Sequence, residues 1–327
     1  MKNSLLEPKA ISYLLLINKN PSQELIEEAK ESLRSLESRL TLSNSSKYIL
    51  NTIAAIFRFP PELLEQNKER YLEHLREAIK DANHDSYTQI YESIPGQYLK
   101  DNISFYEPFM IELLQNYSYA SNRILPGQII NILNKISLYG KLDNVAYNLI
   151  MVDIEKWLNS FKPEQYHMII RYLVRLRLRE THLFDKILSK IISSPVNFIS
   201  KLGEIAFDFF TINYNCEQAK QFIATFPFKD SLLRSSGMVS FACYVPILNL
   251  KNEKDILEVI FSRINESSVA FKKRTFFLYD FVRFVYKDKP EWTQTLKNLI
   301  PNFETEYQNY AALYKGPNKD RDFVIIC

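Results

Sequence analysis

Apolar residues recur at i, i+3 and i+4 along almost the whole chain, in blocks of roughly 10 to 20 residues parted by a few polar ones, the signature of amphipathic helices joined by short links. Such blocks include SKYILNTIAAIFRF, GQIINILNKISLYG, NVAYNLIMVDIEKWLNSF, LFDKILSKIIS and ISKLGEIAFDFFTI. Prolines open others. Pro21 precedes SQELIEEAKESLRSLESRL, Pro60 and Pro61 begin PPELLEQNKERYLEHLREAIKDA, and Pro290 with Glu291 leads EWTQTLKNLI. Proline wastes no amide at the first helical position, and a carboxylate there suits the positive end of the helix dipole. The pattern predicts an all-α chain of antiparallel hairpins.

One block sets the functional question. In KPEQYHMIIRYLVRLRLRE, residues 162–180, Tyr166, Ile169, Leu173 and Leu176 share an arc of about 80°, the width of a helix face packed on one side. Arg171, Arg175 and Arg179 follow one another at i, i+4, i+8 on a second arc, roughly opposite, with Tyr172 beside them; Arg177 falls outside that stripe. The helix is expected to run through the segment. Glu164 shares the arginine arc but sits almost two turns before Arg171, so the stripe needs partners from outside its own helix. Acids or phosphates would serve, and because most of the stripe is left unpaired within its own helix, phosphate is favoured.

Matching residue n with n+37 sets Tyr147 on Phe184, Ile150 on Ile187, Ile154 on Ile191 and Phe161 on Phe198, while Ile132 falls on Ile169 and Ile136 on Leu173. This gives a shared unit of about 37 residues, 125–161 and then 162–198, with a third copy beginning near 199 after a one-residue shift. The expected fold is a stack of helical hairpins, an α-solenoid, with Ile132, Ile136, Ile150, Ile154, Ile169, Leu173, Ile187 and Ile191 in its core. It would comprise an N-terminal helical region (1–120), a helical-repeat array (121–300) and a C-terminal tail (301–327).

Composition narrows the chemistry. The chain has 6 glycines in 327 residues, where average usage would give roughly 23. Phosphate-cradling loops and strained nucleophile turns both need glycine, so most nucleotide-binding and hydrolase architectures lose weight. Cys216, Cys243 and Cys327 are odd in number and widely spaced, and His74, His84, His167 and His182 form no ligand spacing. Neither a disulfide framework, a metal site nor a cofactor is expected. HDSY at 84–87 and YLEHLRE at 71–77 gather polar groups, but read as a loop and a solvated helix face. No convergent acid, base or nucleophile emerges, and an enzyme is not expected. No stretch is long and apolar enough to span a bilayer. The opening residues contain Glu7 and no arginine, a poor match to a presequence or secretory signal.

Net charge is only +3, but it is unevenly placed. Residues 21–37 are rich in glutamate, whereas 162–190 are basic, and basic character resumes at Lys272, Lys273 and Arg274. The residues 128–193, where apolar hairpin helices and short polar links recur with FKPEQ at the join, resemble the heptatricopeptide and octotricopeptide repeats and the leucine-rich helical region of FAST-kinase-domain proteins. Members of these families are typically organellar RNA-binding proteins. The resemblance implies a mitochondrial protein, with the cytoplasm as the alternative, that contacts RNA, ribosomal RNA in particular, as a structural or assembly subunit of a large complex such as a mitochondrial ribosome. It carries over no catalytic residue. In this reading Arg171, Tyr172, Arg175 and Arg179, then Lys272, Lys273 and Arg274, meet the RNA, with cations on phosphates and tyrosine on unpaired bases. The alternative is a protein-binding α-solenoid without direct RNA contact, favoured by the 13% aromatic content and the near-neutral charge.

Overall fold

The computed structural model describes residues 7–121, 123–178, 181–264 and 272–315, and every regular element among them is a helix. The chain divides into two compact units between Phe161 and Lys162, at the join of the two matched sequence units.

The first unit holds α1 (Pro8–Ile17), α2 (Gln23–Leu42), α3 (Ser46–Ile56), α4 (Pro61–Leu64), α5 (Lys68–Ile79), α6 (His84–Ser93), α7 (Gly96–Asp101), α8 (Ile103–Gln115), α9 (Pro126–Tyr139) and α10 (Asn144–Lys156). The apolar face of α2, Ala29, Leu33, Leu36 and Leu40, is buried against α1 and α3, and α3 packs in turn on α5 and α6. The block expected as one helix over 60–82 is broken by a 3-10 turn at Glu65–Asn67, where the Asn67 amide donates to Glu37 at 2.8 Å. HDSY, expected as a loop, is instead the first turn of α6, capped by the Asn83 side chain on the Ser86 amide at 2.8 Å.

Pro108 lies inside α8 without ending it. Proline removes the bond to the carbonyl four residues earlier, here that of Ser104, and the Lys68 ammonium donates to that same carbonyl at 3.3 Å. Asp153 on α10 is fully buried and accepts from Tyr117 at 3.0 Å and Ser121 at 3.1 Å, as a buried carboxylate requires.

The second unit holds α11 (Pro163–Arg175), α12 (Thr181–Ser193), α13 (Pro195–Thr211), α14 (Glu217–Thr225), α15 (Ser235–Tyr244), α16 (Glu253–Ile264), α17 (Lys272–Val285), α18 (Pro290–Asn298) and α19 (Phe303–Lys315). Here α11 packs on α13, α13 on α15 and α15 on α17, while α12 packs on α14 and α16 on α18. Tyrosines recur as ties between neighbours. The hydroxyls of Tyr214, Tyr286 and Tyr307 donate to Asp185, Glu253 and Asp280.

The eight aliphatic residues expected in the core are all buried, each within its own unit. Regularity is looser than a fixed 37. Helices α9, α11, α13, α15 and α17 open at intervals of 37, 32, 40 and 37 residues, and the copy expected near 199 opens at Pro195. α15 also departs from a one-faced hairpin helix. Met238, Val239, Ser240, Phe241, Ala242, Cys243 and Tyr244 are all buried, as in a helix enclosed on every side. Around it α13 and α17 come together, with Phe210 and Phe277 ring centres 4.9 Å apart.

Candidate functional site

The arginine stripe of α11 ends sooner than its sequence implies. The helix closes at Arg175 in a Schellman turn: the Leu178 amide bonds to the Leu173 carbonyl at 3.0 Å and the Arg177 amide to that of Val174 at 2.9 Å. Arg177 occupies the left-handed position, φ 57°, where glycine is the usual residue. Leu176 has left the helix as its cap, and Arg179 lies outside the described residues. The expectation of a continuous helix through 162–180 is therefore corrected by this turn.

Arg171 is also not an open cation. Its guanidinium Nη2 donates to Glu204 Oε2 at 2.6 Å, and its Nε lies 3.6 Å from Asp208 Oδ2. His167, one turn earlier and buried, sets Nε2 at 3.3 Å from Glu204 and 3.4 Å from Asp208, without the alignment of a hydrogen bond to either. Two i, i+4 pairs, His167/Arg171 on α11 and Glu204/Asp208 on α13, thus face each other. Burial is the largest single influence on Glu204 and raises its pKa. The Arg171 hydrogen bond, with the charges of His167, Arg171 and Lys201, outweighs it and leaves the carboxyl below its ordinary range. Lys201 lies 3.4 Å from the same carboxylate.

Arg274 joins the network from α17. It donates to the Ser240 hydroxyl of α15 at 2.8 Å, and its guanidinium sits 4.2 Å from the Phe207 ring centre. Burial lowers its pKa, opposed by Asp208 and Glu204, and a guanidinium remains a cation regardless. The other expected contacts lie apart from this network. Arg175 is exposed, 5.9 Å from the ring centre of half-buried Tyr172. Lys272 bridges to Glu306 at 3.0 Å, and Lys273 is exposed. The stripe-mates Arg171 and Arg175 therefore do different work: one is held by acids, the other reaches solvent.

Beside the network a cleft of about 410 Å³ opens between α13 and α15, lined by Ser200, Glu204, Leu232, Arg234, Ser236 and Arg274 among others. Gly203 and Gly237 lie in its wall, and a Cβ on Gly203 would come 2.4 Å from the Gly237 Cα, so the helices approach this closely only because residue 203 carries no side chain. The loop carrying Leu232 and Arg234 is tied down by Arg263, whose Nη1 donates to the carbonyls of Phe228, Lys229 and Ser231 at 2.7, 2.8 and 3.1 Å. A second groove in the first unit, about 640 Å³, is lined by Glu107, Ile111, Tyr139, Lys141 and Val145 among others. Its lysine is already bonded to Glu107.

Sequence reasoning did not reach Lys201, Glu204, Asp208, Arg234 or Ser240. The signal for the acids was present as a complementary i, i+4 charge pair one hairpin downstream of His167 and Arg171. Burial raises the pKa of both described thiols, that of Cys243 to about 12, which leaves them protonated and poorly nucleophilic at neutral pH. Among the described residues no three His, Cys, Asp or Glu side chains are arranged to hold a metal ion, and no helix is long and apolar enough to cross a membrane. No protein-family description matches the chain, and a search of curated proteins finds no match.

Proposed function

We propose that this protein is a non-enzymatic helical-hairpin protein that contacts RNA through a compact basic locality in its second unit, as a structural or assembly component of an organellar RNA complex such as a mitochondrial ribosome. The observation that carries this reading is local charge. Around the α13–α15 cleft and its network stand Arg171, Lys201, Arg234 and Arg274 against Glu204 and Asp208, and Arg175 adds an outward cation beside Tyr172. A few cations beyond those that internal acids neutralise suit a few phosphates rather than a long wrapped strand. The test is retention on single-stranded RNA across a salt series. Arg175→Gln and Arg234→Gln should together flatten the log–log dependence by up to about one unit for each phosphate no longer neutralised. Unchanged retention and slope would sink the reading.

A second reading has its own observation. On α1, Tyr13, Leu14, Leu16 and Ile17 are all more than a third exposed, an apolar face suited to a protein subunit. Under that reading the chain is a scaffold without direct RNA contact: Tyr13→Ser with Ile17→Ser would release it from its complex, and the parent chain alone would show no salt-dependent retention on RNA.

A further inference from the structure

We infer that the α13–α15 cleft is a binding site for one nucleotide, seating its phosphate near Arg234 and Ser236 and its sugar and base along Ile199, Leu232 and Glu204. Ligand identity rests on the RNA reading above, since the nucleotide is taken to be an unstacked residue of a single strand.

Three features of the cleft carry this. Its volume, about 410 Å³, lies within the roughly 300–1,000 Å³ range of small-ligand pockets and leaves space for more than a bare phosphate. Its polar groups divide into committed and uncommitted ones. Glu204 is matched by Arg171 and Lys201, so its negative charge does not repel an anion as a lone carboxylate would, and its oxygens still accept hydrogen bonds from ribose hydroxyls or a base amino group. Arg234 is exposed and makes no ion pair among the described residues, and the Ser200 and Ser236 hydroxyls likewise bond to no described side chain. These groups face a cleft whose net side-chain charge, with Arg274 at its side, is positive.

The cleft is also built before any ligand arrives. Arg263 holds the loop bearing Leu232 and Arg234 by three carbonyls, and the Ser235 hydroxyl donates to the Ile264 carbonyl at 3.0 Å, fixing the start of α15. Ser236 then stands in the first turn of α15, a helix whose amino end favours negative charge. The apolar strip of Ile199, Leu232 and Leu233 offers a surface for a base, and Leu232 is 80% exposed, which such contact would cover.

The test uses the full chain, with adenosine 5′-monophosphate, uridine 5′-monophosphate and inorganic phosphate as separate titrants by calorimetry, and a labelled single-stranded RNA oligomer in parallel. A nucleoside monophosphate should bind at one site and weaken roughly 10-fold or more in Arg234→Gln, as expected when a charged hydrogen bond is removed. Ser236→Ala should weaken it less, and both variants should melt like the parent chain. Inorganic phosphate binding as tightly as the nucleotides would overturn the inference in favour of a simple anion site. Absence of nucleotide binding, or binding indifferent to Arg234→Gln, would overturn it outright. Should the oligomer bind while nucleotides do not, the cleft assignment falls and the RNA reading stands. Should nucleotides bind in an Arg234-dependent way while the oligomer does not, the RNA reading falls and the cleft stands.

Discussion

Gly203 and Gly237 meet backbone to backbone, so a single methyl group on Gly203 would sit 2.4 Å from the Gly237 Cα. That contact is with main chain, which cannot rotate away as a side chain would. Gly203→Ala should therefore lower stability by at least about 2 kcal/mol, as overpacking of a fixed contact does, and shift the urea midpoint accordingly. Gly127, with nothing within 4 Å of its added Cβ, is the control. Gly127→Ala in α9 should be neutral or stabilising by up to about 1 kcal/mol.

Arg171 and Arg175 should separate cleanly in stability. Arg171→Gln leaves Glu204 and mostly buried Asp208 without their main guanidinium partner, and should cost about 1–3 kcal/mol. Arg175→Gln, at an exposed position, should move stability by no more than about 0.5 kcal/mol. Chemical denaturation of both variants checks this, and equal, negligible costs would mean the cross-helix pairing contributes nothing.

Acid should reveal the same network. Because the Glu204 carboxyl lies below its ordinary range in the folded chain, its contribution to stability is complete above the unfolded carboxylate pKa and is lost as pH falls through the lowered native value. Glu204→Gln cannot titrate, so its denaturation midpoint should fall less between neutral pH and about pH 3 than the parent's, within the general acid sensitivity carried by other carboxylates. Parallel curves for the two proteins would contradict this.

The end of α11 offers a gain. Arg177 holds φ 57°, a conformation that costs an L-residue roughly 1–2 kcal/mol relative to glycine, part of which glycine returns as unfolded-chain entropy. Arg177→Gly should raise stability by about 0.5–1 kcal/mol, read as a higher melting temperature. A drop would mean that the arginine side chain stabilises the turn by more than its backbone strain.

The helical character of the chain was legible because many of its helices write their burial into a 3.6-residue rhythm; Ile132, Ile150, Ile169 and Ile187 all proved buried on that basis. In α15, by contrast, Met238 to Tyr244 are all buried and leave no polar face to mark a register. The partner of Arg171 was hidden for a different reason. Glu204 lies 33 residues downstream, and whether it faces α11 depends on where α13 begins, at Pro195 rather than near 199. A shift of a few residues rotates every side chain of a helix to another neighbour, so periodicity can set which residues are inside without setting which charges meet. The stop at Arg177 was obscured by composition. With 6 glycines in the chain, an arginine at 177 and asparagines at 213, 249 and 302 take left-handed positions, and the customary glycine signal for a helix end is missing.

The ties between neighbouring helices have a bearing on how the chain acquires its structure. They join residues close in the chain: Tyr71 reaches back 34 residues to Glu37, Gln128 reaches back 43 to Asp85, and the ring contact of Phe210 with Phe277 spans 67. Closing loops of that size carries a small entropic cost, and topologies built from such local pairings fold fast. Emerging from a ribosome amino end first at about 5–20 residues per second, α2, α3 and α5 can settle against one another while α17 has yet to be translated. Tyr71 finds Glu37 long before Tyr307 exists to find Asp280. The molecule can thus be completed in the order in which it is made, with little apolar surface left waiting for a distant partner.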